Sequence, residues 1–237
     1  MSATNAIRAA DFTQTMGVDT HINFTDSGYA DIKADLNALQ YLGINYVRDE
    51  APNPDYDPTG QAHLGDAATA GVKFVFFAQG GVDPSVVTQR LHDFEAAHPG
   101  SIVGIEGPNE VNNFPVHYQG LDGAAAAQAY QSALFSAVNS DPLLHDIPVL
   151  GFTDYPFYGS ASDWNNLHPY AENGEQPRAA ILSNESDQAA VDPGKPFAIT
   201  ETGYHTLTAA DGREGVDEAT QAKLLLNTYA DAAQLGS

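Results

Sequence analysis

Residues 73–106 read KFVFFAQGGVDPSVVTQRLHDFEAAHPGSIVGIE, and the fold is read outward from them. Two short apolar runs, 73–79 and 102–106, flank a stretch in which Val87, Leu91 and Phe94 recur at helical spacing. Asp83-Pro84-Ser85 is a start signal for that helix: a carboxylate caps free N–H groups, and the proline's fixed φ suits the first turn. The apolar runs are nearly continuous instead of alternating, as in strands covered on both faces. A strand, a helix and a second strand of this kind form a βαβ unit. Such a unit makes the strands parallel and the crossover right-handed.

Similar runs occur at 16–24, 44–48, 149–153 and 196–200, with a weaker one at 166–170. Helical spacing recurs at Ile32, Leu36 and Leu39, closed by Gly43, then at Tyr130, Leu134 and Val138, and finally at Leu225, Leu226 and Tyr229. Over the first four units the strands start about every 30 residues, the repeat of a (β/α)8 barrel of about 250 residues. The expected architecture is α/β: a (β/α)8 TIM barrel forming a single domain over residues 1–237. Two irregularities stand out. Residues 154–165, between the fifth and sixth strands, leave room for at most about one or two helical turns. Seven strands precede the last helix, so an eighth has no position. The barrel is therefore expected to lack its eighth strand and to be C-terminally incomplete. The alternative is that the N-terminal segment fills the gap, because an open barrel exposes strand edges to water.

Composition narrows the function. Asp and Glu number 31 against 9 Lys and Arg, a net charge of −22, which repels phosphates and argues against a nucleic-acid partner. No apolar run reaches about 18 residues, so no membrane-spanning helix is expected. The absence of cysteine excludes disulfides, thiol catalysis and cysteine zinc sites. The opening MSATNAIRAADF lacks the apolar stretch of a signal peptide, which leaves a removed leader or a cytoplasmic protein.

The fourth strand runs into Gly104-Ile-Glu-Gly-Pro-Asn-Glu110, and the seventh into Ile199-Thr-Glu-Thr-Gly-Tyr-His205. The carboxyl ends of barrel strands form the active face. Glu110 and Glu201 are thus expected to face each other across the barrel mouth. Two carboxyl groups over one pocket can act on a glycosidic bond, with one protonated near neutral pH and the other ionised. Taken singly, either glutamate reads as a solvated loop residue; the pair carries the signal. Glu106 is a rival for the acid role. Strand alternation puts it on the same face, deeper in the barrel, where a buried carboxyl needs a partner, so a structural role is expected.

With Asn109-Glu110 after the fourth strand and Glu201 after the seventh, the sequence resembles the retaining (β/α)8 glycoside hydrolases of clan A. The resemblance runs from Gly17 to the final helix, and the pattern is nearest to family 39-like and family 5-like bacterial proteins. It implies that Glu110 is the general acid/base, that Glu201 is the nucleophile, and that Asn109 contacts the sugar 2-hydroxyl. It also implies that Arg48, in Val47-Arg48-Asp49, lies beside the nucleophile. In His168-Pro169-Tyr170 it implies a subsite histidine and a tyrosine that donates to the nucleophile. Read without the resemblance, Arg48 can pair with Asp49 or Glu50 at the surface, and His168 and Tyr170 can be packed core or rim residues. The clan's strand-eight residue has no position here.

Aromatic side chains near strand ends are candidates for stacking on sugar C–H faces: Phe77, Phe114, Tyr118, Tyr155, Phe157 and Tyr158, with Trp164 and Tyr204 preferred. The eight histidines show no metal-site spacing such as HExxH, and no Gly-rich phosphate loop is present, so neither a metal nor a cofactor is expected. The leading expectation is a retaining hydrolase of β-linked oligo- or polysaccharides, placed outside the cell by a polymeric substrate. The alternatives are a non-catalytic glycan-binding module on the same scaffold and a metal-assisted hydrolase.

Overall fold

The computed structural model describes residues 8–207 and 214–237. A short helix α1 (Ala9–Thr13) precedes strand β1 (Gly17–Asp19). Helix α2 (Ile32–Leu42), strand β2 (Tyr46–Glu50), helix α3 (Pro58–Thr69), strand β3 (Lys73–Ala78), helix α4 (Pro84–Ala97) and strand β4 (Ile102–Pro108) follow in strict alternation. A hairpin of β5 (His117–Tyr118) and β6 (Leu121–Asp122) leads into helix α5 (Gly123–Ser140) and strand β7 (Val149–Leu150). Strand β8 (Asn165–Leu167), helix α6 (Pro177–Val191), strand β9 (Phe197–Ile199) and helix α7 (Glu218–Leu235) complete the chain.

Strands β1, β2, β3, β4 and β7 form one parallel sheet in that order, and β8 pairs with β9 in parallel. A parallel bridge between Leu150 and Trp164 links the two groups. Every one of the seven expected runs overlaps a strand, although the first and the fifth to seventh shrink to two or three residues. Among the described residues no strand pairs with the outer edges of β1 and β9, so the strands form an open arc and a closed barrel is not seen.

In β3 the burial alternates. Phe74 and Phe76 face outward and stack at 4.7 Å, with Phe94 of α4 edge-on to both. This outer layer, joined by Leu64, Leu91, Ile105 and Leu134, is the main core. Four helices begin at an aspartate whose side chain accepts a backbone N–H: Asp31, Asp57, Asp83 and Asp217. Part of the acidic excess therefore serves the helix starts. Three helices, α1, α3 and α6, lie where the apolar spacing had marked none. Between β7 and β8 no helix forms at all.

No helix among the described residues is long and apolar enough to cross a membrane.

Candidate functional site

The carboxyl ends of β2 and β4 bring Arg48 and Glu106 together inside the arc. Glu106 is fully buried, and Arg48 nearly so. Their contact is bidentate: Nε and Nη2 of Arg48 each donate to a Glu106 oxygen at 2.8 Å. Burial alone would raise the Glu106 carboxyl, but Arg48 and then His168 outweigh it and hold it down at about 2. Arg48 likewise stays charged: burial works against it, and Glu106 and Asp19 overcome that penalty. The guanidinium also lies over the Phe77 ring, 4.7 Å from its centre. The surface pairing of Arg48 with Asp49 or Glu50 is not what forms. Asp49 is buried and instead accepts from Thr20 Oγ1 and from the Ile22 and Glu50 amides.

Arg48 has donors to spare, and they organise the rest of the site. Nη2 donates to Asn109 Oδ1 at 2.6 Å, which leaves the Asn109 amide hydrogens to point elsewhere. Nη1 donates to Glu201 Oε2 at 2.8 Å, and the Tyr170 hydroxyl donates to Glu201 Oε1 at 2.6 Å. Both oxygens of Glu201 are thereby held in one orientation. Burial first, and then the Glu201 carboxylate, push the Tyr170 phenol up, so it keeps the proton that it donates.

Glu110 sits just past β4 with φ 41°, in the left-handed region that side chains other than glycine rarely adopt. Two bonds from Thr153, which follows β7, hold it there: Thr153 Oγ1 accepts the Glu110 amide at 2.8 Å, and the Thr153 carbonyl accepts the Val111 amide at 2.9 Å. The end of β4 needs its glycine. A Cβ on Gly107 would lie 1.8 Å from Gln131 Oε1 and 2.8 Å from the Phe152 amide nitrogen.

His168, at the end of β8, lies between the two glutamates. Its Nε2 is 3.1 Å from Thr200 Oγ1, and Thr200 gives its own hydroxyl proton to Asn166 Oδ1 at 2.7 Å. Thr200 can then only accept, so His168 Nε2 carries a hydrogen. Nδ1 faces Glu110 Oε1 at 3.4 Å and Glu201 Oε2 at 3.8 Å. Burial lowers the proton affinity of His168, but Glu106 and Glu110 outweigh burial and raise it to about 9. In turn the His168 bond, opposed by burial and helped by Asn113 Nδ2 at 2.9 Å, lowers Glu110. The open site therefore favours the ionised form of Glu110.

One carboxylate oxygen of each glutamate and one ring nitrogen of His168 lie within 4.8 Å of one another. The trio has the spacing of a metal-ligand set. The raised His168 works against that use, because a metal ion would have to displace the ring proton. Glu110, His168, Tyr170 and Glu201 line a cavity of about 690 Å³.

Six of the eight singled-out residues thus meet around Arg48: Arg48, Asn109, Glu110, His168, Tyr170 and Glu201. Trp164 and Tyr204 do not join them. Trp164 stands at the start of β8, the end away from the cavity, and bridges to Leu150. Tyr204 donates its hydroxyl to the Glu175 carbonyl at 2.9 Å and does not line the cavity. Sequence reasoning passed over Asp19, whose carboxylate lies 3.5 Å from Arg48 Nη1. Burial pushes Asp19 up to about 6; Arg48 pulls it down, while Glu201 and Glu106 add to the rise. Its signal was the position opposite Arg48 at the end of β1, a register that only the sheet reveals. Thr153, Asn166 and Thr200, which hold the glutamate and the histidine in place, were missed too.

No family model and no curated protein sequence matches this chain. Solved structures do. A glycoside hydrolase family 17 β-1,3-glucanosyltransferase from Rhizomucor miehei superposes with a TM-score of 0.67 at 16% identity, over 94% of this chain and 84% of that one. An endo-laminarinase from Formosa Hel1_33_131 gives 0.60 at 12% identity, over 96% and 78%. A β-glucosidase from Exiguobacterium marinum gives 0.57 at 12% identity, over 88% and 75%. The chain shares the fold of these glycoside-active enzymes.

Proposed function

We propose that this chain is a retaining glycoside hydrolase of β-linked glycans. The observation that carries the reading is the approach of Glu110 and Glu201, with carboxylate oxygens within 4.8 Å of each other over one cavity. Retaining enzymes hold their two carboxyl groups about 5–5.5 Å apart, and inverting ones about 6.5–9.5 Å apart to admit a water. In this reading Glu201, oriented by Arg48 and Tyr170, attacks the anomeric carbon. The glycosidic C–O bond breaks, and Glu110 delivers a proton to the departing oxygen. A covalent glycosyl ester on Glu201 results. Glu110 then takes a proton from water, whose oxygen displaces Glu201 with net retention.

The ionised state of Glu110 in the open site has a remedy within this scheme. A bound sugar expels water from around Glu110, and desolvation raises a carboxyl's proton affinity. His168 Nδ1 stands 3.4 Å from Glu110 Oε1, and a protonated ring would place a proton donor there. Asn109, with its carbonyl oxygen taken by Arg48, presents its amide hydrogens to a sugar hydroxyl. The clan A resemblance supports the same roles. The neighbours named a β-1,3-glucanosyltransferase and an endo-laminarinase put laminarin-type β-1,3-glucans first among substrates to test. In this reading a polymeric substrate of that kind supports work outside the cell.

The test is a hydrolysis screen over β-glycans, with the anomer of the first product read by NMR. The β-anomer is expected first. Glu110→Ala should cut turnover by about 10²–10⁴-fold, the range for losing a general acid–base, and Glu201→Ala should abolish it. First release of the α-anomer, or full turnover in Glu201→Ala, overturns the assignment. Glycan binding without turnover by the wild type replaces it with the binding-module reading.

A further inference from the structure

Every N–H of the Arg48 guanidinium has an acceptor. Nε and one Nη2 hydrogen go to Glu106, the other Nη2 hydrogen goes to Asn109, and one Nη1 hydrogen goes to Glu201. The remaining Nη1 hydrogen is left for Asp19, whose Oδ1 lies 3.5 Å from Nη1, against 2.8 Å for Glu201 Oε2. The sheet fixes that placement. Asp19 and Arg48 are register partners on β1 and β2, and the Thr20 amide donates to the Arg48 carbonyl at 2.9 Å. Among the described residues the Asp19 side chain accepts no other hydrogen bond, and it does not line the cavity. The two-step displacement gives Asp19 no direct part, so whatever it does to the reaction passes through Arg48.

We propose that Asp19 is a positioning residue: by sharing Arg48 Nη1 with Glu201, its negative charge limits how firmly the guanidinium holds the nucleophile and so keeps Glu201 reactive. The inference rests on the glycoside hydrolase reading and deepens it. A guanidinium that orients a carboxylate also stabilises its charge, and a stabilised anion is the weaker nucleophile. A second carboxylate on the same nitrogen draws off part of that stabilisation. When Glu201 becomes an ester its charge is gone and its hold on Nη1 weakens. Asp19 is then the anion that faces the released hydrogen. When the ester breaks, Glu201 regains both charge and hydrogen bond. Electrostatics agree with this sharing. Burial pushes Asp19 up to about 6; Arg48 and His168 pull it down, and Glu201 and Glu106 add to the rise. Its charge is felt in turn at Tyr29, at Tyr170 and at Tyr229 of α7. Asp19 therefore loses its charge as pH falls through about 6, whereas Glu106, held down at about 2, keeps its own.

The test uses Asp19→Asn, which keeps an acceptor oxygen for Nη1 and removes the charge. With laminarihexaose as substrate, kcat/KM of the wild type should exceed that of Asp19→Asn by about three- to tenfold at about pH 7.5. The two should converge at about pH 4.5, where Asp19 is itself protonated. A second measurement needs no turnover. Carboxyl ¹³C NMR, with the Asp19 signal identified by its loss in Asp19→Asn, should show Asp19 titrating near pH 6 in the wild type. In Glu201→Gln, which lacks the neighbouring charge, that titration should move down by about one pH unit. No loss at pH 7.5, a loss that is the same at both pH values, or an Asp19 titration unmoved in Glu201→Gln overturns the proposal. A wild type inert on laminarihexaose and across the β-glycan screen, with the NMR coupling intact, overturns the hydrolase reading instead, and the role in attack with it.

Discussion

At the scale of single residues, Glu110 is where conformation and chemistry conflict. Its φ of 41° costs a non-glycine residue about 1–2 kcal/mol. The side chain recovers little of that, with one bond at 2.9 Å from a surface asparagine and a long one at 3.4 Å from His168. Glu110→Gly should therefore raise stability by about 0.5–1 kcal/mol, after the added freedom of glycine in the unfolded chain is subtracted, while hydrolysis is lost. Thermal melting reads this as a rise of about 2–4 °C per kcal/mol in a chain of this size, and a fall would show that the side-chain bonds outweigh the strain. His168 gives a prediction with a sign. Its proton affinity is raised to about 9 in the folded chain against about 6.5 unfolded, so the folded state binds the extra proton between those values. The stabilisation is complete below about pH 6.5 and is lost as pH rises through about 9. Wild type and His168→Gln, melted in parallel from pH 6 to 9.5, should differ most at the acid end and converge at the alkaline end. Parallel curves would mean that His168 stays neutral. Neither effect was legible beforehand, because a left-handed backbone angle at a glutamate and a threonine that fixes a histidine's hydrogen leave no mark in a sequence.

At the scale of elements, the readable signals were the apolar ones. Strand β3 and helix α4 announce themselves through Phe74, Phe76, Leu91 and Phe94, side chains that meet in the core. Helix α3 does not, because its buried positions include Gly60 and Ala67, small residues that leave no hydrophobic stripe. Gly60 shows what the smallness is for. A Cβ there would lie 2.5 Å from Asn23 Cα and 2.8 Å from the Asn23 carbonyl oxygen, in the loop after β1. Alanine gains about 1 kcal/mol over glycine from helix propensity. A clash with backbone, which cannot swing aside as a side chain can, costs about 1–3 kcal/mol. Gly60→Ala should thus destabilise the chain by up to about 2 kcal/mol in chemical denaturation, against the helix scale. A gain in stability would show that α3 can move off the β1 loop. The candidate site follows the same division. Glu110, Glu201 and their partners were legible as motifs at strand ends. Trp164 was misplaced because three residues of β8 separate it from His168, and a strand that short gives no sequence cue to which end a flanking side chain joins.

At the scale of the whole molecule, the open question was closure, and closure is what a linear pattern encodes least, since pairing of the first and last strands is the most distant contact in the chain. The seven parallel strands are legible; the state of the two outer edges is not. Strand β3 is paired on both sides, to β2 and β4, and its Phe74 amide donates to the Ser101 carbonyl at 2.8 Å. Strand β9 is paired on one side only, to β8, among the described residues. There the Thr200 amide donates toward β8, to the Leu167 carbonyl. With a period of two along a strand, the Phe197 and Ile199 amides point to the opposite, unpaired edge. All three residues of β9 are half-exposed, whereas Phe74 and Phe76 are fully buried. Tyr229 of α7 reaches across to the start of β1, donating its hydroxyl to the Gly17 carbonyl at 2.7 Å, so a helix lies near the seam without pairing to it. Protection against hydrogen exchange should accordingly grade across the arc. The amides of Phe74 and Phe76 should exchange only through global opening, and those of Phe197 and Ile199 at least about a hundredfold faster. Residue-resolved exchange by NMR decides it: equal protection at β3 and β9 would mean that the outer edge is covered in solution, and the arc would then be closed.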